Sequence, residues 1–190
     1  MKLYGNSPSP FVRHCHIALL ESGLDFEFIH ADAKVSTQLS PMQRIPFLEY
    51  AKDGETKMLT DSSSILRFIR ELSGRVYLPR VEDLNDFCAV NTLIDAQVNL
   101  FLLKKEGLMP ESIPYLQRQQ NRIQTGLSDF EKHTYSEQAP WTDVELRLAC
   151  FLDWNRFRKH FSVEPFPNLI SLLERLDEYA PFKETAPVDS

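Results

Sequence analysis

The stretch KLYGNSPSPFVRHCHIALLESGLDFEFI, residues 2–29, holds one complete structural unit. Lys2–Tyr4 is short and β-prone, and it runs into Gly5-Asn6-Ser7-Pro8-Ser9-Pro10, a dense series of turn formers. Phe11, Val12, Cys15, Ile17, Ala18, Leu19 and Leu20 then recur at helical spacing. Gly23 follows, where a helix terminus favours glycine because its last residue turns left-handed. Phe26-Glu27-Phe28-Ile29 alternates as a strand does. Strand, loop, helix and strand in this order predict a βαβ unit, whose two strands run parallel because the helix carries the chain back to its starting end.

Downstream, residues 31–44 are polar and carry no clear period. Ile45-Pro46-Phe47-Leu48-Glu49-Tyr50 reads as a strand with a proline near its start. Lys52-Asp53-Gly54-Glu55 is a hairpin turn, which returns Lys57-Met58-Leu59 antiparallel. Asp61-Ser62-Ser63-Ser64 opens a helix whose apolar face is Ile65, Leu66, Phe68, Ile69 and Leu72, with Gly74 at its end. A βαβ-ββα order is complete within residues 1–74.

Beyond Pro79 no strand pattern is evident. Helices are predicted over 82–105, 111–136, 143–158 and 166–178, giving a linker over 75–80 and an all-helical unit over 81–190. The third of these helices has a sharp start. Thr142 with Glu145 forms a capping-box pattern, and Trp141 with Leu146 stands at the staple positions; both features concern folding and not chemistry.

Bulk properties narrow the function classes. Of 190 residues 43% are hydrophobic and 13 are Phe, enough for a sizeable core with no metal or disulfide staple. A net charge of −6 argues against a nucleic-acid surface, since phosphate neutralisation needs clustered Lys and Arg. The three cysteines, Cys15, Cys88 and Cys150, are too few and too scattered for a disulfide framework or a zinc site. They fit a reducing compartment. No signal peptide is visible at the start, and no apolar stretch is expected to approach a membrane span. A cytoplasmic protein with no membrane partner is the expectation. The five histidines form no ligand cluster; His14 and His16, two apart, are expected at the surface or an interface.

Three segments hold residues suited to binding or catalysis. Ser9, with Ser7 as runner-up, precedes the first helix, where free N–H groups and the dipole stabilise an anion; an N-cap is the simpler reading of that segment alone. If the Ile45–Pro46 bond is cis, the backbone of Ile45 is free to pair with an extended peptide, although trans is the ordinary state. Asp61-Ser62 opens a helix where a hydroxyl and free N–H groups bind a carboxylate and an acidic side chain binds an ammonium; capping again explains the same residues.

In this order and at these spacings the three segments resemble the glutathione S-transferase superfamily over nearly the whole chain. Ser9-Pro10-Phe11-Val12-Arg13 resembles its Ser/Cys-Pro-Phe-x-x-Arg start. Ser40-Pro41-Met42-Gln43-Arg44-Ile45-Pro46 resembles Asn-Pro-x-Gly-Lys-Val-Pro, which ends in a cis-proline, with Ser40 in place of Asn and Gln43 in place of Gly. Asp61-Ser62 resembles the acidic-Ser pair, and the tail 180–185 resembles a frequent bacterial ending. The resemblance implies a thioredoxin-like N-terminal domain followed by a helical-bundle domain. It implies glutathione as substrate and no metal. Glutathione would lie against Phe11, Arg44, Ile45, Pro46, Asp61 and Ser62, with Ser9 donating to its sulfur.

The same resemblance implies a homodimer, and a thiolate that attacks a small hydrophobic electrophile or a peroxide. A second-substrate pocket is expected between the first helix with its loop and the helices of 82–105 and 109–136, lined by Phe11, Asn99, Leu103 and Leu108. Serine at position 9 cannot form the mixed disulfide that a cysteine there forms. Two rival functions remain: a non-catalytic binding or regulatory protein of this fold, and a thiol oxidoreductase using Cys15.

Overall fold

The computed structural model describes residues 1–188. β1 (Lys2–Gly5), α1 (Pro10–Ser22) and β2 (Glu27–His30) form the βαβ unit, with β1 and β2 parallel. A short α2 (Ala33–Leu39) follows, in the polar region that the sequence pattern leaves unassigned; Asp32 starts it by accepting the Val35 N–H at 2.8 Å. β3 (Phe47–Lys52) and β4 (Glu55–Leu59) form the hairpin around Asp53-Gly54, both at positive φ as a two-residue turn requires. The sheet order is β2-β1-β3-β4, with β3 antiparallel to both of its neighbours. α3 (Ser62–Leu72) completes a thioredoxin-like domain.

The helical domain holds α4 (Val81–Lys105), α5 (Pro114–Phe130), α6 (Asp143–Arg158), α7 (Pro167–Asp177) and α8 (Ala180–Glu184). The helix expected over 111–136 is shorter at both ends. Pro110 opens a separate single turn of 3-10 helix, and Pro114 starts α5. At the far end Asn168 takes the carbonyl oxygens of Glu131 and His133 at 3.0 and 2.7 Å, while the Glu131 carboxylate caps the Asn168 and Leu169 N–H groups of α7. This contact across the chain draws residues after Phe130 out of the helix. α6 keeps its capping box as expected, and Trp141 and Leu146 are both buried in the helical core.

α4 corrects one expectation: by length and composition alone it is apolar enough to cross a membrane. Its apolar side chains have protein partners. Val90, Leu93 and Ile94 join the core shared with α5 and α6, and Phe87 enters the core of the first domain.

Buried charge ties the domains together. Arg70 of α3 donates to both oxygens of Asp143, the first residue of α6, at 2.7–3.2 Å, and to Glu21 of α1 at 2.6 Å. Glu21 also accepts from Arg75 and from the Tyr179 hydroxyl. His14 is fully buried in this seam with Nε2 3.1 Å from Asp143, and His16 stacks on Phe28. His14 is therefore enclosed at the interface between the domains, while His16 is half-buried: α1 has protein on several sides, so even its polar positions meet neighbours. Arg13, from the Ser-Pro-Phe segment, is likewise buried; it pairs with Asp153 of α6 and donates to the Phe182 carbonyl at 2.8 Å. These bonds fix the angle between the sheet and α6, and with it the clefts along the seam.

Candidate functional site

Two clefts open side by side along the seam. The first, about 330 Å³, lies between the start of α3, the Ile45-Pro46 segment and α4. The Ile45–Pro46 bond is cis, as expected, and Pro46 is buried. Neither the N–H nor the C=O of Ile45 is bonded to any of the described residues, which leaves both for an extended peptide. Asp61 caps α3 with one oxygen, Oδ1, which accepts the N–H groups of Ser63 and Ser64 at 2.9 and 3.0 Å. Ser62, the first helical residue, thus keeps its own N–H free at the positive end of the helix dipole. Arg44 reaches over the opening to Asp95 of α4 at 3.2 Å, and both side chains are exposed.

The loop that delivers Arg44 is strained. Gln43 has φ of +51°, a left-handed conformation that costs a side-chain-bearing residue roughly 1–2 kcal/mol. Position 43 is where the resembling segment carries glycine, so the backbone keeps the shape while the sequence has departed from the residue that suits it.

The second cleft, about 470 Å³, starts at Ser9 and Pro10 and runs past Val98 and Leu102 of α4 to Trp154 of α6. Ile45 lines both clefts, so a ligand threaded along it in the first would deliver its next atoms to the second. Ser9 is the N-cap of α1; its Oγ accepts the Val12 N–H at a long 3.4 Å, and among the described residues it makes no other hydrogen bond. Ser7 is committed elsewhere, to the backbone of Ala186 and Val188.

The structure brings Phe11, Arg44, Ile45, Pro46, Asp61 and Ser62 together around the first cleft. Phe11 borders that cleft and not the second. Asn99, Leu103 and Leu108 line neither. The α4 face toward the seam carries Asn91, Asp95, Val98, Leu102 and Lys105, at spacings of three and four. Each step along a helix turns about 100°, so Asn99 and Leu103, one position beyond Val98 and Leu102, point away. Asn91 and Asp95 were not foreseen; the three-and-four stripe they share with Val98 is the signal that finds them. Arg147 was not foreseen either. It sits beneath Ser62, donating to its Oγ at 3.2 Å, and its sign in the sequence is a lone cation in the apolar run from Leu146 to Leu152.

Cys15 has no access to either cleft. It is fully buried, its Sγ lies 3.7 Å from the Ser62 carbonyl oxygen, and burial pushes the thiol up to about 12. That environment suits a packing residue and not a nucleophile. Cys150 is also buried, its thiol pushed up to about 11.

A thioredoxin-like domain with a cis-proline at a strand entry abuts a helical domain that walls a second cleft. Residues 3–76 match the family model described as the glutathione S-transferase N-terminal domain. The chain is 31% identical to the GST-like protein YibF of Escherichia coli, over 98% of each sequence. The chain belongs to the glutathione S-transferase superfamily. Its fold is similar to that of a Methylobacillus flagellatus glutathione S-transferase with glutathione bound (TM-score 0.83, 21% identity, 98% of this chain and 99% of that one). It is also similar to a Methylobacterium radiotolerans glutathione S-transferase in complex with glutathione sulfonate (TM-score 0.82, 22% identity, 100% and 95%).

Proposed function

We propose that the protein is a glutathione transferase that activates the glutathione thiol for attack on a small hydrophobic electrophile or a peroxide. One observation carries the reading: Ile45 is the shared wall between a cleft that holds Asp61 and Ser62 and a second cleft that begins at Ser9 and is walled by Val98, Leu102 and Trp154. Glutathione is an extended peptide with a carboxylate and an ammonium at one end, a carboxylate at the other and a thiol between. Laid antiparallel to Ile45, its γ-glutamyl end meets Ser62 and Asp61 and its glycyl end meets Arg44, with Phe11 and Pro46 beside it. Its sulfur then lies toward Ser9, at the N-terminus of α1.

A free thiol has a pKa of roughly 8.5. The Ser9 hydroxyl and the α1 dipole both favour the thiolate. The sulfur attacks the carbon of the electrophile, a carbon–sulfur bond forms, and the leaving group departs with its electron pair or the adduct takes a proton from water. The apolar side chains of Val98, Leu102 and Trp154 suit a hydrophobic partner, with Lys105 and Arg158 at the same cleft.

Retention on immobilised glutathione, combined with a thiolate absorbance that persists below pH 8 in the presence of the protein, tests the reading. Retention without the absorbance supports the non-catalytic binding protein instead, and no retention removes glutathione altogether.

The domain limits follow the same reading: 1–74 for glutathione, 75–80 as linker and 81–190 for the second substrate. A homodimer is part of it, supported by the exposed apolar residues on either side of the linker, of which Val76 and Leu84 line one shallow cleft. Light scattering at micromolar concentration should give twice the chain mass. Three free cysteines are consistent with a cytoplasmic location.

A further inference from the structure

Arg147 is a buried cation with no part in the proposed chemistry at the sulfur. It is fully buried within α6. Its Nη2 donates to Ser62 Oγ at 3.2 Å, while Nε and Nη1 have no hydrogen-bond partner among the described residues. The rings of Phe11 and Phe87 flank the guanidinium at 5.0 and 4.8 Å. Cys15, Cys150 and Tyr77 lie within reach of its field, and burial raises the pKa of all three, so none supplies a formal negative charge at neutral pH. Asp143, whose field reaches it, is already gripped by Arg70 and His14. Burial draws its pKa down, yet a guanidinium remains charged in a protein. A positive charge thus sits unmatched in a low-dielectric interior, with its one hydrogen bond aimed through Ser62 at the first cleft.

That hydrogen bond constrains Ser62. Its oxygen accepts from Arg147, so its single hydroxyl hydrogen is left to donate, and the cleft is the side on which Ser62 is open. The N–H of Ser62 is also free among the described residues, at the start of α3. We infer that Arg147 is a positioning residue for a carboxylate bound at Ser62: it sets the Ser62 hydroxyl as a donor and provides, from behind, the countercharge that the carboxylate completes. The inference rests on the glutathione reading, in which the γ-glutamyl carboxylate is the anion.

Calorimetric titration of the full chain with three peptides tests it. These are glutathione, glutaryl-Cys-Gly, which keeps that carboxylate and lacks the amine, and γ-aminobutyryl-Cys-Gly, which keeps the amine and lacks the carboxylate. Arg147→Met should weaken the first two by about tenfold or more, which is about 1.4 kcal/mol, and leave the third within about twofold. Ser62→Ala should show the same selectivity. The double variant should lose no more than the stronger single, since the two residues act in series. The ligand-free Arg147→Met protein should melt no lower than wild type, because replacing an unmatched buried charge by an apolar side chain is neutral or stabilising. Equal weakening of all three peptides, or additive losses in the double variant, would overturn the inference and leave Arg147 a packing residue. If Arg147→Met does not fold, Arg147→Gln, which removes the charge and keeps a polar side chain, must show a carboxylate-selective loss or the inference falls. Glutathione binding by wild type with no change in Arg147→Met removes this inference alone; no binding by wild type removes the glutathione reading with it.

Discussion

The Ser7 hydroxyl donates to the carbonyl oxygen of Ala186 at 3.2 Å, a contact between residues 179 apart in the chain. The Ser7 Oγ in turn accepts the Val188 N–H at 3.2 Å. Of the two hydroxyls in the loop before α1, one is therefore spent on holding the tail, and Ser9 is the one bordering the second cleft.

Ser9→Ala should accordingly hurt chemistry more than binding. A hydrogen bond to a charged group is worth about 1.5–3 kcal/mol, so the pKa of the bound glutathione thiol should rise by about one to two units. Turnover of a model electrophile near neutral pH should fall about ten- to a hundredfold, with a smaller change in glutathione affinity. Ser7→Ala should leave turnover nearly unchanged and loosen the tail. Steady-state kinetics with a thiolate absorbance titration decide the matter, and a crippling Ser7→Ala beside a silent Ser9→Ala would reverse the assignment.

Thiol labelling should separate the three cysteines. Cys88 is exposed on α4, whereas Cys15 and Cys150 are buried with thiols pushed up to about 12 and about 11. Iodoacetamide on the native protein at pH 8 should modify Cys88 alone, read by peptide mass mapping, and glutathione-dependent turnover should survive. Rapid modification of Cys15 with loss of activity would restore the thiol oxidoreductase.

Acid should destabilise the fold through His14. Burial, which outweighs the Asp143 hydrogen bond, lowers its pKa from 6.5 to about 4. Between these two values the unfolded chain binds a proton that the folded chain refuses, so stability contributed by neutral His14 is present above pH 6.5 and drains as the pH falls toward 4. Urea unfolding across this window should show the decline, and His14→Gln should flatten it even if that variant is less stable at pH 7.

Gln43→Gly should stabilise the protein by about 0.5–1 kcal/mol. Removing the side chain relieves the left-handed strain at φ +51°, which exceeds the extra chain entropy that glycine loses on folding. Thermal unfolding measures it; a lower melting temperature would mean that the Gln43 side chain contributes more than the strain costs. The exposed Arg44–Asp95 pair beside it is worth about 0–1 kcal/mol, so losing Asp95 should move stability little.

The amino-acid sequence by itself determined the order of the elements and where several begin. Turn formers, alternation and capping act between residues a few positions apart, so Asp53-Gly54, Gly23, Thr142-Glu145 and the three motif segments could be read directly. The α2 helix was not legible because its seven residues are mostly exposed and carry no apolar stripe. Helix α5 was overdrawn because its end is set by Asn168, a residue far along the chain.

Tertiary structure alone decided the rest of the site. That Ser7 is bonded to the tail while Ser9 borders the second cleft depends on a segment 179 residues away, and the face of α4 that meets the clefts depends on how its other faces pack against α5 and α6. A helical period fixes which residues share a face but not which face meets which neighbour. His14 and Arg147 are polar letters in helical patterns, and only enclosure by a second domain made one a neutral histidine and the other an unmatched charge. Burial and partnership across the seam belong to the packed chain, because desolvation arises only when distant segments exclude water together.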